Sequence, residues 1–329
     1  MKKLGILFLS LVMMFSLVAC SDGAKEPEKS AEQTEDLKEV SIMLDWYPNA
    51  VHSFIYVAAE KGYFEEEGLN VKINMPAETS DPLKLVAGGK TTFAVSYQPE
   101  IVMARAKDIP VVSVASIVGH HLNTMMTTTD QNINSPKDLE GKTVGFSLPV
   151  YEAVAKTVIE SDGGDLSKVE IIDIGFDLIP ALVTKRVEAT SGGFINHEQV
   201  LLEKEGQKIK TFNPVDYGVP DFYELVLVVS EDTAKNDQET VKKFWNAAAK
   251  GQAFVKDNPE EALTILLSHQ NDSFPLEKEI EEKSLEILLP LMEDFGAQSL
   301  ESYENVIEWM AKYKLIDKKP EAKDAFISL

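Results

Sequence analysis

Most of the side chains that could do chemistry on a small molecule stand at the ends of a few apolar runs. Asp45-Trp46-Tyr47-Pro48-Asn49 follows the run over residues 41–44, with His52 one turn further on. Tyr97 and Glu100 follow residues 92–96, and Phe194, Asn196, His197 and Glu198 follow residues 187–193. Tyr217, Asp221, Tyr223 and Glu224 precede a last run at 225–229. Flat aromatics beside amides and carboxylates suit a small planar heterocycle, because rings stack on it while Asn and Glu read its donors and acceptors. The candidate ligand-binding residues are Trp46, Tyr47, Asn49, Tyr97, Glu100, Phe194, Asn196, Glu198, Tyr217 and Tyr223. Phe146, Tyr151 and His197 fall on the same cleft. The set does not suit phosphate or sulfate, which calls for Arg, Lys or a helix N-terminus lined with backbone donors. Each residue also has a plainer role open to it: Trp46 and Tyr47 as core aromatics, Asn49 and Asn196 as helix caps. Likewise Glu100 and Glu198 suit exposed or capping positions, and the late tyrosines suit packing.

Signatures of catalysis are missing. There is no Gly-x-Ser-x-Gly, no Gly-x-Gly-x-x-Gly and no Walker lysine loop. His120, His121 and His197 lack the spacing of a metal site and are expected to be solvated or capping. The reading is a binder and not an enzyme, with neither cofactor nor metal.

The chain of 329 residues is long enough for two domains with their own cores. Its 54 acidic against 32 basic residues give a net charge of −22 without a basic patch, which argues against nucleic acid as a partner. The single cysteine excludes an intrachain disulfide. It follows a basic Met1-Lys2-Lys3 and an apolar stretch over residues 4–18, and stands in Leu17-Val18-Ala19-Cys20, which resembles the bacterial lipobox. That resemblance implies cleavage before Cys20 and lipidation of its thiol. Residues 1–19 are then a signal peptide, and residues 20–38 a flexible tether with almost no large apolar side chains. A monomer held by lipid alone on the outer face of a bacterial plasma membrane is expected.

The elements that must position the candidate residues follow from periodicity. Strands at 41–44, 69–75, 92–96 and 111–117 alternate with helical segments, which argues for a parallel sheet covered by helices. Pro48 suits the first turn of the first helix, whose apolar face is Val51, Phe54, Ile55, Ala58 and Ala59. Residues 120–129 read as an extended, exposed crossing into a second domain, where the β-α cycle restarts. Residues 225–229 are a continuous apolar run, a buried strand crossing back. Helices dominate from residue 237 on and should complete the first lobe. The expected division is lobe 1 at 39–123 and 227–329 and lobe 2 at 124–226, with a ligand cleft between them.

Six stretches occur in order: the lipobox, Asp45-Trp46-Tyr47-Pro48-Asn49, Lys61-Gly62-Tyr63-Phe64, Ser96-Tyr97-Gln98-Pro99-Glu100, Asp138-Leu139-Glu140-Gly141-Lys142 and Gly193-Phe194-Ile195-Asn196-His197-Glu198. Together they resemble the solute-binding lipoproteins of ABC importers, in the formylaminopyrimidine-binding branch shared with the fungal thiamine-pyrimidine synthases. The resemblance implies a two-lobed periplasmic-binding-protein fold of type II, each lobe a mainly parallel α/β sheet. It implies a pyrimidine ligand, N-formyl-4-amino-5-aminomethyl-2-methylpyrimidine or a relative, and an ABC permease as partner. A receptor for a sulfonate, nitrate or other nitrogenous solute is the alternative, and a pyrimidine-synthesising enzyme a more distant one. The fungal branch carries a pyridoxal-phosphate lysine and a sacrificed histidine where this chain has Ser96 and Glu100. Its cysteine-rich iron-binding run corresponds to residues 217–226, which contain no cysteine.

Overall fold

The computed structural model describes residues 37–270 and 274–329. Cys20 and the signal and tether segments through residue 36 lie outside the described residues. In chain order the strands are β1 Lys38–Met43, β2 Leu69–Asn74, β3 Phe93–Ser96, β4 Val111–Val118, β5 Asn123–Thr128, β6 Thr143–Phe146, β7 Glu170–Asp173, β8 Ala189–Phe194, β9 Ile209–Phe212 and β10 Leu225–Ser230. They form two five-stranded sheets, ordered β2-β1-β3-β10-β4 and β7-β6-β8-β5-β9.

Both sheets are mixed. β1 runs parallel to β2 and β3, whereas β10 is antiparallel to β3 and β4. In the second sheet β6 is parallel to β7 and β8, whereas β5 is antiparallel to β8 and β9. The sheets are mainly parallel, as expected: in each, four of the five strands point one way, and β10 or β5 runs against them. Each of these two strands arrives from the other sheet and enters against the direction set by the β-α units.

β5 also corrects the exposed crossing expected at 120–129: every one of its residues is buried. Met125 and Met126 fill both faces, and the threonines are tolerated because their hydroxyls find carbonyls. Thr124 Oγ1 donates to the carbonyl of Phe212 at 2.8 Å, and Thr127 Oγ1 to that of Glu188 at 2.7 Å. Pro48 is likewise displaced from its expected place. It precedes Asn49, which caps a short 3₁₀ turn, Ala50–His52, leading into the helix Ser53–Glu60.

The late helices cover the first sheet. Gln238–Asp257 packs along Ser53–Glu60, and Leu300–Lys312 along Gln98–Ala106. The first contact is close enough that a Cβ on Gly251 would stand 2.1 Å from the carbonyl oxygen of Phe54, so glycine is needed there for space.

The two segments that cross between the sheets are fastened to each other. Glu224, fully buried just before β10, accepts from the backbone N–H groups of Leu122 and Asn123 at 2.7 and 2.9 Å and from Asn123 Nδ2 at 3.0 Å. A carboxylate removed from water is tolerable when its lone pairs are filled in this way.

Candidate functional site

The loop after β1 and the loop after β8 end on one narrow cavity between the sheets, lined by Asp45, Trp46, Asn49, Tyr97, Tyr151 and Glu198 among others. Its free room is about 20 Å³, little more than one water molecule.

The first loop is held by a buried network. His52 Nδ1 accepts the backbone N–H of Asn49 at 3.2 Å, so its proton sits on Nε2, which donates to Asp45 Oδ1 at 2.9 Å. The Tyr97 hydroxyl donates to Asp45 Oδ2 at 2.9 Å. Asn49 serves as a cap: its Oδ1 accepts from the Val51 N–H at 3.1 Å and its Nδ2 donates to the Tyr47 carbonyl at 3.2 Å. A second phenol, on the helix Pro149–Ser161, repeats the arrangement of Tyr97. Tyr151 lies edge-on to Tyr97, ring centroids 5.6 Å apart, and donates to Glu224 Oε1 at 2.8 Å. Burial and then the neighbouring carboxylates hold both phenols well above the usual tyrosine range, Glu224 on Tyr151 and Asp45 on Tyr97. They stay protonated and their protons point at carboxylates.

The second loop is less fully paired. Glu198 Oε2 accepts the backbone N–H of Phe194 at 2.8 Å, and the other oxygen makes no hydrogen bond to the described residues. His197 Nε2 lies 3.3 Å from the Tyr47 hydroxyl, and its buried Nδ1 has no partner. On the first loop the Trp46 indole N–H is near the Tyr47 hydroxyl but makes no well-formed hydrogen bond. The Trp46 ring packs edge-on to Phe176 at 4.5 Å and among Ile174, Leu178 and Val187, so a first-sheet loop is seated in the second sheet's apolar cluster. Gly192 completes the wall. Its φ is +98°, and a Cβ there would be 2.5 Å from both Ser147 Oγ and Tyr151 Cδ2.

Of the ten candidates, Trp46, Asn49, Tyr97, Phe194 and Glu198 line the cavity. Tyr47 stands beside it, edge-on to His197 at 5.5 Å, and faces an adjoining pocket with Leu201, Leu276 and Ile280. The structure does not bring the other four to the cavity. Glu100 points the opposite way, to the N-terminus of the Pro149–Ser161 helix, where it accepts the Val150 N–H at 3.0 Å. Burial there pushes its carboxyl up to about 7. Asn196 Nδ2 donates to Ser284 Oγ at 3.0 Å, tying the second loop to the helix Lys278–Leu291. Tyr217 packs against Phe212, and Tyr223 is fixed by Ser299 and by Gln98. Asp45, Tyr151, Ser147, Gly192 and His197 line the cavity without having been among the ten. Asp45 and Tyr151 were legible as polar or aromatic groups at the ends of strands. Nothing marked Gly192 as more than a turn.

No lysine or arginine of the described residues lines the cavity. Among the described residues, no group of His, Cys, Asp and Glu is arranged to hold a metal ion, and no helix is long and apolar enough to cross a membrane.

The family described as "NMT1/THI5 like" matches residues 49–262. The chain is 46% identical to the formylaminopyrimidine-binding protein of Halalkalibacterium halodurans over 335 aligned positions, covering 100% of this chain and 99% of that protein. It is 29% identical over 230 positions to a 4-amino-5-hydroxymethyl-2-methylpyrimidine phosphate synthase of Legionella pneumophila, covering 69% of this chain and 72% of that one. In structure it resembles the alkanesulfonate-binding protein SsuA of Xanthomonas axonopodis pv. citri, solved bound to MOPS. The TM-score is 0.70 at 11% identity, over 89% of this chain and 99% of that one. At that identity the likeness speaks to fold, and the architecture is the two-lobed periplasmic-binding-protein fold.

Proposed function

This chain belongs to the NMT1/THI5-like family, and on that premise we propose that it is the substrate-binding component of an ABC importer that carries a thiamine pyrimidine precursor. The ligand is N-formyl-4-amino-5-aminomethyl-2-methylpyrimidine or a close relative, taken up for thiamine salvage. The observation that carries this reading is the 46% identity to a formylaminopyrimidine-binding protein from end to end of both chains. The cavity supports it. Trp46 and Tyr97 supply ring faces or edges, Glu198 offers a free carboxylate oxygen to the exocyclic amine, and the Trp46 N–H awaits an acceptor such as the formyl oxygen. A sulfonate or nitrate would meet carboxylates and no cation, so the anion-receptor reading is the weaker one.

The protein is a carrier and not a synthase. Ser96 stands where the resemblance to the fungal enzymes requires the Schiff-base lysine, and no lysine of the described residues lines the cavity. Lipid on Cys20 holds it to the outer face of the plasma membrane as a monomer. The lobes divide near residues 124 and 227, and closure on the ligand presents both to the permease.

A thermal-shift titration of the purified protein tests the reading. Formylaminopyrimidine should raise the melting temperature in a concentration-dependent way, with hydroxymethylpyrimidine weaker and taurine and nitrate silent. A response to taurine or nitrate with none to pyrimidines would overturn the ligand. A pyridoxal absorbance on incubation with pyridoxal phosphate would overturn the carrier.

A further inference from the structure

The cavity wall offers a ligand mostly lone pairs. Tyr97 donates its only hydroxyl proton to Asp45, and Tyr151 donates its own to Glu224, at 2.9 and 2.8 Å. Neither phenol then has a proton left to give, so its oxygen can serve a neighbour as an acceptor only. Glu198 keeps one oxygen after accepting from Phe194. Asp45 and Glu198 line the cavity, Glu224 stands behind Tyr151, and among the described residues no lysine or arginine is in the wall. Against these acceptors stand the Trp46 indole N–H, buried without a partner, and two groups that can either give or accept, the Ser147 hydroxyl and His197.

A neutral aminopyrimidine has no ring proton to give Glu198: its ring nitrogens are acceptors and would meet the free carboxylate oxygen lone pair to lone pair. The same ring is a weak base. One proton on a ring nitrogen turns an acceptor into a donor and spreads a positive charge over the amidine unit. Nearby carboxylates favour that charged form.

We propose that the cavity binds its heterocycle as the ring-protonated cation, with Glu198 facing the new N–H and one proton taken from solvent for each ligand bound. The proton adds to a ring-nitrogen lone pair, an N–H bond forms, and nothing is oxidised or released. The inference rests on the aminopyrimidine reading of the site. It also sets the ligand class: basic, unphosphorylated heterocycles with an amino group beside the ring nitrogen are admitted, and their phosphate esters are refused.

Other groups that titrate face the site or bridge it. His52 is occupied on both nitrogens, by Asn49 and Asp45. His197 lies between Tyr47 and the buried Glu281. Glu100 joins the lobes outside the cavity and titrates near 7. A proton counted on binding must be told apart from protons on these side chains.

The experiment is titration calorimetry of formylaminopyrimidine into the full chain, in buffers of different ionisation enthalpy, between pH 5 and 8.5. It is paired with nitrogen NMR of ligand labelled in the ring. Affinity should rise about tenfold for each pH unit lowered between the bound and the free pKa of the ligand, and level off below the free value. One proton should be taken up in the wild type and in Glu100→Gln, less in Glu198→Gln, and the bound ring nitrogen should resonate at its protonated position. A bound ring nitrogen at the neutral position overturns the inference, whether or not a proton is taken up elsewhere. Absence of binding at every pH overturns the functional reading instead.

Discussion

The loops after β1 and β8 meet at one cavity, yet they are built on opposite terms. In the first, polar atoms are paired inside the protein: Asp45 holds His52 and Tyr97, and Asn49 is used as a cap. In the second, two groups of the cavity wall are left incomplete: His197 Nδ1 is buried without a partner, and Glu198 uses one oxygen of two. The difference teaches a division of labour. The first loop is a platform whose shape does not depend on a ligand, and the second holds hydrogen-bonding capacity in reserve for one. Pairing within the protein fixes geometry, whereas unpaired groups favour whatever completes them.

Breaking the platform should cost the most. Asp45→Asn removes the charge that two buried donors share and leaves one good acceptor for them. Stability should fall by about 3 kcal/mol, as lost hydrogen bonds to a charged group imply, read as a shift of the urea midpoint. A midpoint within error of the wild type would mean the network does not hold the loop. Gly192→Ala attacks the wall of the second loop from behind. The backbone conformation at φ +98° disfavours any side chain, and the methyl would meet the Tyr151 ring at 2.5 Å. Strain and overpacking together predict a loss of about 2–4 kcal/mol, and the ligand-induced thermal shift should vanish with it. If Gly192→Ala kept full binding, Tyr151 would not be fixed by that contact.

Glu100 sharpens the comparison, because it bridges the lobes yet belongs to neither loop. Its native pKa, about 7, lies above the ordinary 4.5, so the folded state favours the protonated form. Its contribution to stability is full below about pH 4.5 and is lost as pH rises through about 7, at no more than ~1.4 kcal/mol per pH unit. Glu100→Gln keeps an acceptor for the Val150 N–H without the buried charge, and should flatten the stability profile over that window. A profile unchanged by the substitution would remove Glu100 as its source.

Much of the platform was legible in the sequence, because strand ends and helix starts are marked by apolar runs, prolines and small caps. Asp45, Trp46 and Asn49 sit where the run over 41–44 must stop. Direction was not legible. Glu100 follows Pro99 in a helix's first turn whether it faces a cavity or the next helix, and residue spacing is the same in both cases. Tyr217 and Tyr223 lie near a crossing, and nothing local tells that Ser299 and Phe212 will claim them. β5 was misread as exposed because threonines suggest a half-polar surface. The carbonyls that satisfy Thr124 and Thr127 come from residues 88 and 61 positions away.

Glu198→Gln tests the reserve itself. The Phe194 N–H keeps an acceptor, so stability should hardly change, while affinity for formylaminopyrimidine should weaken by about 1.5–3 kcal/mol, the worth of a hydrogen bond to charge. Calorimetry separates this from Asp45→Asn, which should act on stability first. Equal affinity in Glu198→Gln and wild type would remove Glu198 from the site.

The smallest effect should come from the one group on the platform that breaks its rule. The Trp46 N–H is buried without a good partner, although its ring is seated against Phe176 and the apolar cluster of the second sheet. Replacing Trp46 by benzothienylalanine keeps the shape and removes only the N–H. A buried donor without a partner destabilises a fold, so the melting temperature without ligand should stay level or rise slightly. Affinity should fall by about 1 kcal/mol, one neutral hydrogen bond. Loss of stability with no loss of affinity would mean that the indole N–H serves the Tyr47 hydroxyl and not the ligand. The reserve would then lie in the second loop alone.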